Sequence, residues 1–236
     1  MHPFFEGQAD MKANAFPKGH HEEDAHLACL KQQMDETDRA HPSLDLKGHS
    51  TRVSVLTTQL AQAMGLSEHQ ALRMGDAAYY HDVGKLFLAH SPLEKSGPLS
   101  AQERSRVEEH SALGADAMKE AAGPIAAMAR DIALWHHERY DGHGYPDQLQ
   151  GNGIPFAARI VAIADVYDAL RSIRPYKPYR SHEQVVQDMM SSDLGITQGF
   201  DPIVVEAFRD NLAEISATWD HARLNGMVAR MQATKT

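Results

Sequence analysis

The stretch Pro155-Phe-Ala-Ala-Arg-Ile-Val-Ala-Ile-Ala-Asp-Val-Tyr-Asp-Ala-Leu170 decides the fold class. Proline is favoured in the first turn of a helix, where its missing N–H is not needed. Apolar side chains then lie on almost every side of the helix that this stretch predicts. Because a helix that is apolar all round has to be buried, we predict that residues 155–170 form the central helix of the core.

Helical spacing of apolar residues recurs on both sides of this stretch, whereas strand signals are weak throughout. Capping boxes and first-turn prolines mark several helix starts, among them Ser100 with Glu103 and Asp201 with Pro202. Further helices are predicted over about 22–39, 45–64, 68–83, 100–118 and 124–140, from 181, and as one long C-terminal helix from 201 that turns Trp219 inward. The fold class is therefore predicted as all-α, a helical bundle around the central helix.

Size and composition indicate a globular protein with one main domain. The chain has 236 residues, of which 42% are hydrophobic and 23% are charged, which is ordinary for a folded domain. A net charge of −9 argues against the broad basic surface that duplex nucleic acids require. Cys29 is the single cysteine, which favours a reducing compartment, and the sequence has neither a signal peptide nor a long apolar run. We therefore expect a cytoplasmic chain with no membrane partner.

Histidine and aspartate recur at positions that the predicted helices bury. Fifteen histidines is a high number for this length. A lone buried histidine or aspartate is usually hydrogen-bonded within the core, but several carboxylates among several imidazoles need a shared compensating charge. Divalent metal ions supply that charge, and mixed ligation of this kind suits iron, manganese or zinc better than calcium. The residues on the predicted buried sides are His49, His81, Asp82, His110, His136, Asp165 and Asp168.

Three short motifs then occur in a specific order: His81-Asp82-Val-Gly-Lys85, His136-His137 and Asp141-Gly-His-Gly-Tyr-Pro146. Together they resemble the HD-GYP family of the HD phosphohydrolases, and the resemblance extends over about residues 42–208. The family implies an HD-type helical bundle that hydrolyses cyclic di-GMP to pGpG and often on to GMP. On this resemblance, residues 41–236 form the phosphodiesterase domain including the C-terminal helix, and residues 1–40 form a short extension with a lead helix.

The resemblance also implies a metal site in the core of the bundle. Two or three divalent ions would be bound, with iron or manganese as the first expectation and nickel or zinc as alternatives. A metal-bridging hydroxide would attack the phosphorus, and Asp82 would be the bridging carboxylate. The ligands implied by matching motifs are His49, His81, Asp82, His110, His136, His137 and Asp165.

Four residues are implied in binding the substrate, which are Lys85, Tyr145, Arg174 and Lys177. Lys85 is also implied in catalysis, through contact with a phosphate oxygen or the leaving oxygen. The alternative for Lys85 is a solvated charge at a helix end. Tyr145 would stack or use its hydroxyl, and Arg174 and Lys177 would contact phosphates or guanine edges, although a plain surface turn is the alternative for the last two.

The sequence departs from the family pattern in two places. Asp45 stands one turn before His49, where members that bind a third metal ion carry glutamate; it can ligate a metal ion or cap the helix. The loop after Lys85 also differs, with Leu-Ala-His at 88–90 and Lys-Ser-Gly-Pro at 95–98. Because that loop borders the substrate cleft, cyclic GMP-AMP or a linear dinucleotide stays open beside cyclic di-GMP.

Two other functions stay open from the sequence. An HD phosphohydrolase for a different nucleotide would share the metal ligands, although the Gly-Tyr-Pro loop argues against it. A binding module for cyclic dinucleotides, with little turnover, is the alternative from a different class, and the Gly-Tyr-Pro loop could also recruit a protein partner. The complete set of predicted ligands favours an active enzyme. The sequence indicates neither the oligomeric state nor the regulatory input.

Overall fold

Helices make up the regular structure in the part of the chain that the computed structural model describes, and that part contains no strand. The described residues are 24–40, 46–93, 95, 97–172, 180–191 and 197–233, without the side chains of 39, 46, 47, 90, 91 and 227–233. The all-α prediction is confirmed. The elements are α1 (Ala25–Ala40), α2 (Leu46–Ala63), α3 (Glu68–Ala78), α4 (His90–Leu93), α5 (Ala101–Glu108), α6 (His110–Ala117), α7 (Pro124–Trp135), α8 (Phe156–Arg171), α9 (His182–Met190), α10 (Pro202–Asp210) and α11 (Leu212–Ala233), with 3₁₀ turns at Val83–Phe87, Gly151–Gly153 and Thr197–Gly199.

The central helix is α8, as the apolar stretch predicts. Ile160, Val161, Ile163 and Tyr167 have no exposed surface, and α8 contacts α2, α3, α7, α9 and α10. Any polar side chain that α8 turns toward these helices is therefore shielded from water and has to be paired or charge-compensated. None of the described helices is both long and apolar enough to cross a membrane.

The predicted helix starts are confirmed by their hydrogen bonds. Ser100 accepts from the backbone N–H of Glu103 (3.2 Å), while the Glu103 carboxylate accepts from the backbone N–H of Ser100 (2.7 Å). Ser181 and Gln184 form the same reciprocal pair at the start of α9. The Asp201 side chain caps α10. Each cap satisfies N–H groups that the first turn of a helix leaves without partners.

The helix predicted over 68–83 ends earlier, at Ala78. Beyond it, the N–H groups of Tyr80 and His81 donate to carbonyl oxygens three residues back (3.2 and 3.1 Å), which tightens the backbone toward the 3₁₀ turn Val83–Phe87. Gly84 explains the bend, because a Cβ there would lie 1.9 Å from the carbonyl oxygen of His110. Gly84 thus allows the chain to lie against α6, and residues 81 and 82 form part of the turn that precedes it.

Three further helices also end earlier than predicted. The segment from residue 101 breaks at Glu109, which separates α5 from α6, and the C-terminal segment breaks at Asn211, which separates α10 from α11. Helix α7 ends at Trp135, well before residue 140, so His136 and His137 follow the helix directly.

Helix α1 packs on the rest of the bundle. Leu27, Leu30 and Met34 are buried at 2%, 4% and 0% exposure, and His26 Nε2 lies 2.6 Å from the carbonyl oxygen of Ala117. The helix contacts α2 and the 3₁₀ turn Val83–Phe87. The lead helix therefore contributes to the hydrophobic core, while the division of the chain into residues 1–40 and 41–236 stays a prediction.

Candidate metal centre

The seven side chains predicted as metal ligands lie together in the core of the bundle. Three overlapping groups of ligand atoms, each with all members within 4.8 Å of one another, include all seven residues. The seven are His49 on α2, His81 and Asp82 in the turn after α3, His110 at the start of α6, His136 and His137 after α7, and Asp165 on α8. The prediction that His81 lies on a helix is wrong, since α3 ends at Ala78.

Hydrogen bonds to the main chain fix which nitrogen of three imidazoles faces the site. The Nδ1 atoms of His81, His110 and His136 lie 2.9, 2.6 and 3.0 Å from carbonyl oxygens of the preceding turn. A carbonyl oxygen only accepts, so each Nδ1 carries the proton and each Nε2 presents a lone pair. The Nε2 atoms of His110 and His136 are 3.4 Å apart, and those of His49 and His81 are 3.1 Å apart. Nitrogens this close need a proton or a metal ion between them.

The carboxylate of Asp82 lies between these two pairs of imidazoles. Its Oδ1 is 3.4 Å from His110 Nε2 and 3.8 Å from His136 Nε2. Its Oδ2 is 3.5 Å from Nε2 of both His49 and His81. Although Oδ1 is buried, it has no hydrogen-bond partner. A buried ionised oxygen without a partner is expensive, so this arrangement requires something more than the surrounding side chains.

Two aspartates of α8 approach His49 from opposite sides of its ring. Asp165 Oδ1 lies 3.1 Å from His49 Nε2, and Asp168 Oδ2 lies 2.6 Å from His49 Nδ1. Asp168 therefore orients an imidazole that points its other nitrogen into the site, which is a common arrangement around metal-binding histidines. The sequence had placed Asp168 on the buried side of α8 but gave it no role. Its spacing of one helical turn from Asp165 was the available signal.

Burial is the main influence on the protonation states of His136 and His137. Burial, and after it the neighbouring histidines, lower the pKa of His136 well below its usual value and that of His137 to about 3. Burial favours the neutral form of Asp82 and Asp165, yet Lys85 beside Asp82 and His49 beside Asp165 hold the pKa of both carboxyls well below the usual range. Neutral imidazoles and ionised carboxylates are the forms that bind metal ions.

The pKa of His49 is shifted in the opposite direction from those of His136 and His137. Burial alone would lower its pKa, but the hydrogen bonds that His49 donates to Asp165, Asp168 and Asp82 raise the pKa well above its usual value. A proton on His49 thus supplies positive charge among three carboxylates. A divalent cation bound at Nε2 would supply the same charge and replace that proton.

This donor set fits divalent metal ions. It combines an unpartnered carboxylate oxygen on Asp82 with facing Nε2 lone pairs, and mixed imidazole and carboxylate ligation suits first-row transition metals. Asp82 and His81 are buried, with side-chain exposures of 2% and 0%, whereas Asp165 and Lys85 are 14% and 22% exposed. The cluster therefore reaches solvent at Asp165 and Lys85, as a site that admits a substrate must.

Two of the predicted substrate-binding residues contact the cluster. Lys85 Nζ donates a hydrogen bond to Asp82 Oδ2, so the lysine is held at the site and is not a freely solvated charge. The Tyr145 ring stacks on His137, with ring centroids 4.8 Å apart and planes inclined by 28°. Burial, followed by the charges of Asp82 and Asp165, raises the pKa of Tyr145, which keeps its hydroxyl protonated. Three predicted positions lie outside the described residues: Asp45, Arg174 and Lys177.

Glu138 holds the loop that follows the histidine pair. Its buried carboxylate accepts hydrogen bonds from the backbone N–H groups of Asp147 (2.7 Å) and Leu149 (3.1 Å). Gly144 allows the loop to fold back, because a Cβ there would lie 2.3 Å from the backbone nitrogen of Arg139. The backbone N–H of Tyr145 also donates to the carbonyl oxygen of His137 (3.3 Å), next to the stacked rings. Sequence reasoning missed Glu138, although a charged residue between a buried pair and a loop rich in glycine was a usable signal.

The sequence of this chain matches one family model and several known proteins. A family model described as HD domain matches residues 36–196. The 3'3'-cGAMP-specific phosphodiesterase 2 of Vibrio cholerae is 37% identical over 175 residues, which cover 74% of this chain and 33% of that protein. A cyclic di-GMP phosphodiesterase of the same organism is 45% identical over 137 residues, which cover 56% of this chain and 27% of that protein. The chain thus spans about a third of the length of these relatives.

A solved structure supports the fold independently of close sequence similarity. An HDG"Y"P protein from Bdellovibrio bacteriovorus superposes with a TM-score of 0.58, covering 87% of this chain and 78% of that one. The two sequences are 15% identical, so this likeness concerns the arrangement of the helices. It agrees with the helical bundle that the central apolar stretch predicts.

Proposed function

The chain belongs to the HD domain family, and from this premise we propose that it is a metal-dependent phosphodiesterase that hydrolyses cyclic dinucleotides, with cyclic di-GMP as the first candidate substrate. Two relatives that act on cyclic dinucleotides by name support this proposal. The reaction adds one water molecule across a phosphodiester bond, which converts the cyclic substrate into a linear dinucleotide such as pGpG. A second hydrolysis would yield GMP.

The observation that carries this proposal is the position of Asp82, each of whose oxygens faces a different pair of imidazoles. We infer that the cluster would hold two divalent metal ions, with iron or manganese as the proposed occupants. The first ion would be held by His49, His81, Asp82 and Asp165. The second ion would be held by Asp82, His110, His136 and His137.

Divalent ions bound there would supply Lewis-acid chemistry, namely charge neutralisation at the phosphate and acidification of water. The remaining work falls to side chains of this protein. Lys85 lies at the open side of the cluster and would donate to a phosphate oxygen or to the leaving oxygen. Tyr145 would border the substrate from its stacked position on His137. By family resemblance, Arg174 and Lys177 would bind phosphates or guanine edges.

Replacing Lys85 by alanine tests its proposed role. We expect Lys85→Ala to retain the metal content of the wild type and to lower kcat roughly 100-fold, as the loss of one preorganised electrostatic donor does in other enzymes. Metal analysis and steady-state kinetics on the same preparation measure both quantities. Lys95→Ala is the matched control, since Lys95 is exposed and pairs with Glu103. If Lys85→Ala turned over at the wild-type rate, Lys85 would be a structural partner of Asp82 only.

A substrate panel tests the proposed function as a whole. The protein would be purified without oxygen, its bound metals quantified, and its activity on cyclic di-GMP and on 3'3'-cGAMP followed by chromatography, with a chelator-treated sample as control. We expect metal-dependent conversion of a cyclic dinucleotide to a linear product. Faster hydrolysis of 3'3'-cGAMP would select the alternative substrate, which the relative named for it supports. Tight binding without turnover by the metal-loaded protein would instead indicate a binding module.

A further inference from the structure

Asp168 joins the candidate metal centre to helix α11. One of its oxygens, Oδ2, lies 2.6 Å from His49 Nδ1, and the other, Oδ1, accepts a hydrogen bond from the indole Nε1 of Trp219 at 2.5 Å. Asp168 has no exposed surface, and Trp219 is 1% exposed. The carboxylate is therefore a buried link between an imidazole of α2 and an indole of α11.

Further donors make this carboxylate rigid. Arg52 donates from Nε to Oδ1 (2.6 Å) and from Nη2 to Oδ2 (3.1 Å), and Ser172 Oγ donates to Oδ2 (3.1 Å). Hydrogen bonds to an ionised acceptor are shorter and stronger than neutral ones. Because each oxygen has more than one donor, the carboxylate cannot rotate without breaking bonds, and the ring plane of His49 is fixed with it.

The hydrogen bond from Trp219 is unusual in its acceptor and in its place along the chain. A buried indole N–H needs an acceptor and often finds a backbone carbonyl, but here the acceptor is the carboxylate that orients His49. Trp219 also lies beyond residues 36–196, which the family model matches. Its ring packs over the guanidinium of Arg171 at 4.3 Å, so the indole itself is held in place.

We propose that Trp219 is a positioning residue of the metal centre, acting through Asp168 to fix His49 in the orientation that binds a divalent cation. This inference rests on the proposed function, because it assumes that His49 is a metal ligand. Helix α11 is then part of the site, because Trp219 reaches the cluster through Asp168 and His49. Partners of ligand histidines commonly determine metal affinity in this way.

The test is Mn²⁺ binding by the metal-free protein and its Trp219→Phe variant. Phenylalanine keeps an aromatic ring over Arg171 but removes the N–H, so Asp168 loses one donor. We expect Mn²⁺ to bind on the order of tenfold more weakly, in the range seen when partners of ligand histidines are removed, to a metal-free variant that keeps the helical structure of the wild type. Isothermal titration calorimetry measures the first quantity, and circular dichroism measures the second.

Tyr167→Phe is the matched control, because it removes a buried hydroxyl that bonds to Arg171 and His182 and leaves the side chain of Asp168 untouched. Its Mn²⁺ affinity should equal that of the wild type. Trp219→Phe should also have a smaller effect when Asp168→Asn is already present, since effects transmitted through a shared partner are not additive. Equal losses in both backgrounds would mean that Trp219 acts through general packing.

An unchanged Mn²⁺ affinity in folded Trp219→Phe would overturn the inference while leaving the proposed function intact. Failure of the wild type to bind Mn²⁺ at all would instead contradict the proposed function. If Trp219→Phe does not fold, Ser172→Ala repeats the test, because it removes a different donor to Asp168 with little change in packing. Wild-type Mn²⁺ affinity in Ser172→Ala would then count against the inference.

Discussion

Replacing Asp82 by asparagine is expected to lower kcat at least about 1,000-fold and to reduce the bound metal by half or more. Asparagine has nearly the same shape as aspartate, but it carries no charge and its amide nitrogen cannot bind a cation. Its side chain therefore cannot be a ligand of two cations at once. Lewis-acid activation by a metal ion is worth several kcal/mol, and each 1.36 kcal/mol is a factor of ten in rate. Metal analysis and chromatographic assays on one preparation measure both effects.

The control for this substitution is Asp116→Asn on α6. Asp116 is exposed and pairs with Lys119, so its amide should leave metal content and turnover unchanged. If Asp82→Asn bound two metal ions per chain and hydrolysed the substrate normally, the shared carboxylate would have no role and the two-ion arrangement would be wrong. Loss of turnover with full metal content would restrict Asp82 to a role in the reaction itself.

Gly84→Ala is expected to produce the largest loss of stability. The added methyl group would lie 1.9 Å from the carbonyl oxygen of His110 and 2.6 Å from the backbone nitrogen of Gly114. Both neighbours are main-chain atoms that cannot move aside without displacing α6. Overpacking typically destabilises by 1–3 kcal/mol and sometimes more, so we expect about 3 kcal/mol or more here, which corresponds to a melting temperature lower by roughly 6–12 °C.

Thermal denaturation of the metal-free protein measures this effect separately from metal binding. Gly153→Ala is the matched control, since a Cβ at Gly153 meets no atom within 4 Å, and its melting temperature should stay within about one degree of the wild type. A wild-type melting temperature for Gly84→Ala would show that the turn and α6 are not in the close contact described above. His110 would also be displaced in Gly84→Ala, so weaker metal binding should accompany the lower stability.

The sequence was a good guide wherever one local signal decided the outcome. The nearly continuous apolar run identified the central helix, because burial on all sides leaves a pattern that needs no partner to interpret. The caps at Ser100, Ser181 and Asp201 were found for the same reason, since each depends on residues at most three positions apart. The candidate ligands also came together in space as the motifs implied, while their roles remain to be tested by the variants above.

Contacts between distant segments could not be predicted in the same way. The early end of α3 depends on Gly84 meeting the backbone of α6, which no local pattern records. Asp168 was placed on a buried face, but its partners come from α2 and α11, and its link to His49 depends on how these helices pack. Glu138 owes its role to backbone N–H groups of a loop whose path the sequence does not specify.

The three main-chain hydrogen bonds made by His81, His110 and His136 have a consequence for spectroscopy. Each keeps one ring proton in a buried, hydrogen-bonded position, where exchange with solvent requires local opening of the fold. In a protein loaded with a diamagnetic ion, these three protons should give separate, slowly exchanging imidazole signals in proton NMR. The His81 signal would then report on the surroundings of Asp82 Oδ2, and the His110 and His136 signals would report on those of Oδ1.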